Sequence, residues 1–494
     1  MGRPDVGLRG LGEMTIASLS FLLFALAAIV ICQTAACLSW RPARDFVFLA
    51  FNIGFLWTFA AGGWVGFLPM AGFVLAGYAA VVLLRANRSR ALFLLLLILP
   101  LALFFWLKKY AFVPRALWLT VPYVTIGVSY IFFRILQLVI DAGSGNLGGR
   151  FGLVSYLNYT LNFTTLVSGP IQRHEDFSQN EEHPRPVGWF TGGSAVERII
   201  IGFFKVLVLS ALLHEWHKQS LDILAIRSAP ADRIVASAEA LIGYTIYLYC
   251  NFSGYTDIVI GVARFLGFEL PENFNRPFSA LNFMDFWARW HMSLSNWLKT
   301  YVYNPLLKGL MARIPSPGVD PYLGALAFLV TFFLIGVWHG QTWIFVLYGI
   351  LLGVGVSGNK LYQVWMIKRL GRKEYRSLSA HWAYRTAARG LTFTYFNLSL
   401  VCFWAGWPQI SDICSRLSWG GAVAVAGLIW LVSAVALEAW ERLRALTLAV
   451  QIKQQPLVLS RYLRTAWGTA LVLITIGMVS LTATPAPDIV YKNF

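Results

Sequence analysis

Apolar stretches of helical length follow one another along nearly the whole chain, separated by short polar breaks. A membrane-spanning helix needs about 20 predominantly apolar residues, with about 17 as the lower limit. Segments 15–38, 64–84, 91–107, 116–140, 196–213, 236–250, 322–338, 341–357, 391–406, 420–437 and 466–483 meet or approach that length, and 46–60 is a shorter candidate. The pattern predicts an all-α polytopic membrane protein with about 11 transmembrane helices. Hydrophobic segments leave no room for a soluble domain, so residues 1–494 read as a single integral membrane domain. The run 15–38 is too long for a signal-peptide core and has no convincing cleavage site, so it is expected to span. Residues 1–13 are polar and glycine-rich, which leaves Met14 as an alternative start.

Two stretches depart from this pattern. Phe151 to Gly169 is apolar but laced with Asn158, Thr160, Asn162, Thr164 and Thr165, and is followed by Pro170, Arg173, His174 and Glu175. Irregular backbone at membrane depth is tolerated only when buried in protein or lining a cavity, so 151–183 reads as a re-entrant or cavity-lining element. In 284–301, Phe286, Trp290, Leu294, Trp297 and Tyr301 recur at spacings of 4, 4, 3 and 4, opposite Arg289, Ser293, Asn296 and Thr300. That periodicity predicts one amphipathic helix lying in the membrane interface with a tryptophan belt.

Composition agrees with the pattern. The chain is 57% hydrophobic and 13% charged, against about 25% charged in soluble domains. A net charge of +17 fits the positive-inside bias and contact with anionic lipid headgroups. No basic stretch forms a nucleic-acid-reading module, so nucleic acid is not an expected partner. Residues 360–389 carry eight Lys/Arg against one acid, Glu374, and are expected to form a cytoplasmic loop. Residues 441–464 carry the next basic cluster, and the hairpin 391–406/420–437 between the two is consistent with both being cytoplasmic. Five scattered cysteines, Cys32, Cys37, Cys250, Cys402 and Cys414, have no metal-ligand spacing and suggest no disulfide framework.

Candidate chemistry centres on two histidines. His339 lies in Gly336-Val337-Trp338-His339-Gly340, inside a run from Leu323 to Gly358 that holds no Asp, Glu, Lys or Arg. A titratable ring inside lipid is costly and reads as a functional-site hypothesis; the alternative is a buried histidine satisfied by a backbone carbonyl. The flanking glycines permit close approach of backbone or ligand. His291 lies 48 residues earlier, one helical turn from Trp287 and Ser295; its bland reading is an interfacial histidine that stabilises packing. Asp257, in Asn251-Phe252-Ser253-Gly254-Tyr255-Thr256-Asp257, could orient a histidine, pair with Arg264 or Arg276, or cap a helix. His214-Glu215-Trp216-His217 spaces its histidines at i and i+3 rather than the i and i+4 of a zinc helix, so no metal site is expected. There is no Gly-x-Ser-x-Gly elbow, phosphate loop or dinucleotide fingerprint.

The stretches NFSGYTDIVIGVARFLGFELPENFNRPF (251–278), DFWARWHMSLSNWLKTYVYNPL (285–306) and GVWHGQTWIFVLYG (336–349) resemble the membrane-bound O-acyltransferase family in order and spacing. The resemblance is to its bacterial branch of alginate O-acetylation and teichoic-acid D-alanyl transfer proteins. VTIGVSYIFFRILQLVID (124–141), LVSGPIQRHEDF (166–177) and the closing PDIVYKNF resemble the same branch. Residues 120–358 then contain the acyltransferase core motifs. Two positions depart from the pattern: Lys299-Thr300 stands where relatives usually carry Arg-Asp, and Leu352 where they often carry a further histidine.

The resemblance implies a ring of tilted helices, with re-entrant or interfacial helices, around a central funnel in a multi-pass bacterial inner-membrane protein. It implies that His339 is the invariant family histidine and His291 the second one. The expected activity moves a small acyl group, acetyl by preference, from a cytoplasmic thioester to a hydroxyl of an extracytoplasmic polysaccharide. His339 would be the general base and His291 its helper, with Asn251, Asp257, Trp338, Trp290 and Ser295 as substrate-binding candidates. The donor would be acyl-CoA or an acylated carrier protein, with no permanently bound cofactor and no metal. An acyl carrier protein and a periplasmic or extracellular acyltransferase are the expected protein partners, and lipids surround the chain. The competing readings are a transporter or flippase, which predicts internal repeats that are not visible here, and a non-catalytic scaffold of an envelope polysaccharide complex.

Overall fold

The computed structural model of the protein describes residues 14–37, 42–59, 63–452, 455–456 and 460–482. The expectations for residues 1–13 and for the closing PDIVYKNF fall outside the described residues. Among the described residues the regular elements are helices and one antiparallel pair of two-residue strands, Gln451–Ile452 with Gln455–Pro456. In order the helices are α1 (Leu19–Ala36), α2 (Pro42–Trp57), α3 (Leu68–Ala86), α4 (Arg90–Leu107), α5 (Val128–Ser144), α6 (Leu153–Thr160) and α7 (His174–Glu182). They continue with α8 (Trp189–Phe204), α9 (Ala211–Ile226), α10 (Pro230–Phe265), α11 (Phe283–Trp287), α12 (Met292–Leu298) and α13 (Asn304–Arg313). The last are α14 (Asp320–His339), α15 (Trp343–Ala380), α16 (Trp382–Ser399), α17 (Val401–Trp404), α18 (Trp407–Arg416), α19 (Trp419–Ala449) and α20 (Arg461–Thr482).

Seven of the described helices are long and apolar enough to cross a membrane: Leu19–Ala36, Trp64–Ala86, Arg90–Leu107, Asp320–His339, Trp343–Ala380, Trp419–Ala449 and Arg461–Leu481. The other predicted spans are also helical, but shorter or more polar. In 116–140 the helix begins only at Val128, after a short 3-10 turn, and α5 carries Arg134 and Gln137 in the protein interior. The prediction 196–213 becomes α8 running through a π-turn, Lys205–Ser210, into α9. Residues 360–389, expected as a loop, are mostly helix: α15 continues to Ala380 with a break at Gly371 (φ 82°), and α16 begins at Trp382.

The chain divides into two compact units. The first comprises residues 1–207, 251–271 and 479–494. Its helix starts follow from local chemistry: Ser18 and Ser89 accept the amides of Phe21 and Leu92 at the starts of α1 and α4. The polar segment running from the end of α6 onward is interior, with Asn158 and Thr160 in the helix and Asn162, Thr164 and Thr165 beyond it all buried. Buried Arg134 of α5 fastens it, donating to the carbonyls of Tyr159 (2.9 Å), Thr160 (2.8 Å) and Thr165 (2.9 Å). Asn52 donates to Asn158 (3.1 Å) and accepts the Phe163 amide (2.9 Å), and Asn158 donates to the Asp45 carbonyl (2.9 Å). These bonds satisfy backbone that no helix ladder satisfies, which is what irregular structure at membrane depth requires.

The second unit comprises residues 208–250 and 272–478. Lipid tails are as apolar as leucine, so helix association here rests on close packing and internal polar contacts rather than on burial from water. Ala238, Phe393, Val425 and Ile429 form a tight cluster among α10, α16 and α19. Buried Arg389 of α16 pairs with Glu438 of α19, and Arg276 pairs with Glu441 one turn further along the same helix. The helix pair α14–α15 forms a hairpin whose turn follows His339 directly.

Candidate acyl-transfer site

His339 is the last residue of α14, and the chain leaves the helix at Gly340 in extended conformation. Two features of the sequence place it there. A Cβ on Gly336 would overlap the Phe345 carbonyl and the Gly349 backbone, and one on Gly349 would come within 2.8 Å of the Phe333 carbonyl. The two glycines therefore let α14 and α15 approach backbone to backbone. A Cβ on Gly340 would collide with the Phe345 ring. The close approach that the glycines permit is thus made by the protein's own backbone and by Phe345. Around the buried imidazole stand Trp338 (ring centroids 4.7 Å apart), Phe403 (5.1 Å) and Tyr348 (5.7 Å). Tyr348 and Phe403 were not singled out by the sequence. Tyr348 lies within the quoted 336–349 stretch, but nothing local distinguishes it from its neighbours.

His291 is reached from a different direction. The predicted continuous helix 284–301 is broken: α11 ends at Trp287, α12 begins at Met292, and Lys299–Tyr303 is a π-turn. His291 stands at the break in left-handed conformation, φ 44° and ψ 52°. A non-glycine residue in that region is uncommon, though histidine is among the types enriched there; such strain costs of order 1–3 kcal/mol and persists only where surrounding contacts hold it. The break separates His291 from the helix of Trp287, while Ser295 remains one helical turn beyond it in α12. Burial pushes its imidazole down to about 3, so the ring is neutral at physiological pH. The bland interfacial reading is replaced by deep burial, with His291 only 1% exposed. The two imidazoles, 48 residues apart in sequence, lie within electrostatic reach of each other.

The remaining predicted residues divide. Trp338 joins the His339 cluster. Trp290 is 2% exposed and sits in an aromatic group with Phe286 (5.6 Å), Phe274 (5.1 Å) and Phe396 (4.9 Å), not in an interfacial belt. Leu294 and Trp297 are buried as well. The Ser295 amide donates to the His291 carbonyl (3.0 Å), starting α12. Asn251 and Asp257 belong to the first unit. Asn251 is fully buried in α10. Asp257 lies inside α10, so it caps no helix, and its two oxygens accept from Arg198 (2.9 Å) and Lys205 (2.7 Å). The proposed partners go elsewhere: Arg264 pairs with Glu269 and Arg276 with Glu441. His217 of α9 is hydrogen-bonded to the Ala240 carbonyl (2.8 Å), while His214 stacks on Tyr247. Among the described residues no group of three or more His, Cys, Asp or Glu side chains is arranged to hold a metal. An apolar cavity of about 360 Å³ in the first unit, bounded by residues such as Trp57, Phe67, Met70 and Leu157, carries no ionisable lining.

A buried, neutral imidazole within electrostatic reach of a second one at the end of an apolar helix is suited to moving protons away from bulk water. Residues 144–403, more than half of the chain, match the sequence profile of the MBOAT, membrane-bound O-acyltransferase family. The chain belongs to that family of polytopic membrane O-acyltransferases. It is 29% identical to the teichoic acid D-alanyltransferase of Bacillus subtilis over 293 residues, 56% of this chain and 67% of that protein. It is 29% identical to the peptidoglycan O-acetyltransferase of Helicobacter pylori over 258 residues, 51% of this chain and 45% of that protein. It is 31% identical to the probable alginate O-acetylase AlgI of Pseudomonas syringae pv. tomato over 230 residues, 44% and 41% respectively. Apart from the Bacillus protein, the match spans about half the length of these relatives or less.

Proposed function

We propose that this protein transfers a small acyl group, acetyl by preference, from a cytoplasmic thioester to a hydroxyl of an extracytoplasmic cell-envelope or exported polysaccharide. The observation that carries the reading is that His339 and His291 are both buried, with their imidazoles within electrostatic reach of each other. The relatives that are named as O-acetyltransferases or D-alanyltransferases of wall or exported polymers support the same class of acceptor. In the proposed step His339 takes the proton of the attacking hydroxyl, worth roughly 10²–10⁴ in rate. The hydroxyl oxygen bonds to the acyl carbon, the carbon–sulfur bond breaks, and the proton passes to the departing thiolate, which leaves as a thiol. His291, neutral, positions the acceptor or the thioester or stabilises the oxyanion. Trp338, Trp290, Ser295, Asn251 and Asp257 are the substrate-binding candidates, the tryptophans acting through packing.

Residues 120–358 form the proposed catalytic core of a single integral membrane domain in the bacterial inner membrane. The donor is acyl-CoA or an acylated carrier protein. The basic residues of 360–389 are the proposed cytoplasmic face for a carrier, and an acyltransferase on the far side is the proposed downstream partner. The test is mass spectrometry of base-labile esters on the host's envelope polysaccharides in wild type, a deletion strain, and the deletion complemented with His339→Ala at matched protein level. Loss of one ester in both mutant strains identifies acyl group and acceptor and upholds catalysis. Rescue by His339→Ala overturns it in favour of a transporter or scaffold.

A further inference from the structure

His291 occupies a conformation that its own segment does not favour, and the contacts that hold it come from a distant loop. The Met292 amide donates to the Asn273 carbonyl (2.9 Å), and the Asn275 amide donates to the Arg289 carbonyl (2.9 Å). Between them Phe274 and Trp290 form an isolated antiparallel bridge. The side chain of Asn273 then reaches past His291. Its Oδ1 accepts the Ser293 hydroxyl (2.5 Å) and the Ser293 amide (3.3 Å). The residues before and after His291 are therefore fastened to the stretch 273–275. On the α12 side Asn273 contributes through both its backbone carbonyl and its side chain.

Asn273 is completely buried, and its Nδ2 has no hydrogen-bond partner. A buried amide donor left unmatched is costly, so packing alone does not account for asparagine at this position. Leucine or alanine would fill the space without an orphaned donor but could not accept the two Ser293 bonds. Left-handed backbone at a non-glycine residue survives only where its surroundings over-determine it, and here those surroundings are the Asn273 clamp.

We propose that Asn273 is a positioning residue that locks His291 in left-handed backbone and thereby aims its imidazole at the site shared with His339. The proposal rests on the functional reading for what the aimed ring does, but not for the clamp itself. The experiment uses the purified full-length chain in detergent and reads two quantities that need no substrate. One is amide hydrogen exchange at Met292 and Ser293. The other is modification of His291 by diethylpyrocarbonate, scaled to exposed His381. In Asn273→Ala both amides should exchange at least tenfold faster, and His291 should become reactive while exchange in α19 stays unchanged. Asn273→Asp, which keeps both acceptor bonds, should restore most of the protection. Ser293→Ala, which removes one bond and leaves the loop intact, should give a smaller effect in the same direction and serves if Asn273→Ala does not fold. Unchanged exchange at Met292 and Ser293 overturns the clamp, as does loosening that spreads equally through α14, α15 and α19. Ester analysis of the same variants separates the two readings. Faster exchange with esters intact in Asn273→Ala, His291→Ala and His339→Ala alike upholds the clamp and removes the catalytic role.

Discussion

Gly336 of α14 lies against the backbone of Gly349 of α15 with no space for a Cβ between them. The crossing stands one turn before His339, so its geometry sets where the imidazole is presented. Gly336→Ala should therefore destabilise the protein by about 1–3 kcal/mol through overpacking and lower transfer activity disproportionately. Gly358→Ala, on the same hairpin with open space around it, should be neutral or slightly stabilising, because alanine outranks glycine in a helix by about 0.5–1 kcal/mol. Thermal unfolding in detergent, alongside ester formation, separates the two.

If the histidines act as one unit, their losses will not add. His339→Ala should lower transfer roughly 10²–10⁴-fold. His339→Ala combined with His291→Ala should be little worse than His339→Ala alone, as in other sites whose members work together. Single-turnover transfer from a synthetic acyl thioester measures this; multiplicative losses would show that His291 acts independently of His339, and an unchanged rate in His291→Ala would place it outside the reaction.

His291 also predicts an acid-sensitive fold. Its imidazole is held down at about 3, against about 6.5 when free. The stability that depends on the neutral ring is complete above about pH 6.5 and is lost as the pH falls towards 3, by about 1.4 kcal/mol per unit. Asparagine tolerates left-handed backbone and does not titrate, so His291→Asn should gain stability relative to wild type between pH 6.5 and 5. Melting curves of both proteins at pH 7.5 and 5 provide the comparison, and parallel acid loss would show that other groups dominate.

Asp257 answers two cations at once, with side chains only 14–27% exposed across the triad. Asp257→Asn should cost about 3 kcal/mol, because it leaves Arg198 and Lys205 facing each other without the carboxylate. Glu269→Gln, which weakens the exposed pair with Arg264 at 3.7 Å, should cost under about 1 kcal/mol. Unfolding of the two variants tests the contrast.

Much of this was legible along the chain, and the reason differs from place to place. Asn158, Thr160 and Thr165 inside an apolar run announced interior irregular backbone, because lipid would not accept them. His339 stood out because an ionisable ring in an uncharged run is costly, and the structure buries it at the end of α14. The break at His291 was not legible: the spacing of Phe286, Trp290, Leu294 and Trp297 is continuous, and the interruption is imposed by Asn273, a partner that periodicity does not encode. Asp257 was seen as exceptional, but its cations lie 59 and 52 residues upstream, beyond any local rule. The basic stretch 360–389 was read from charge, and charge does not distinguish a loop from a helix that outruns the membrane.

Arg134 carries a further consequence, for assembly. The carbonyls of Tyr159, Thr160 and Thr165 converge on a guanidinium delivered by a helix that precedes them in the chain. A segment so dependent on a neighbour has no stable shape of its own in lipid, and cannot enter the bilayer as an independent hairpin. Its carbonyls are satisfied only once α5 is beside it. The order in which the chain emerges during synthesis, guanidinium first and acceptors afterwards, is the order this pairing needs.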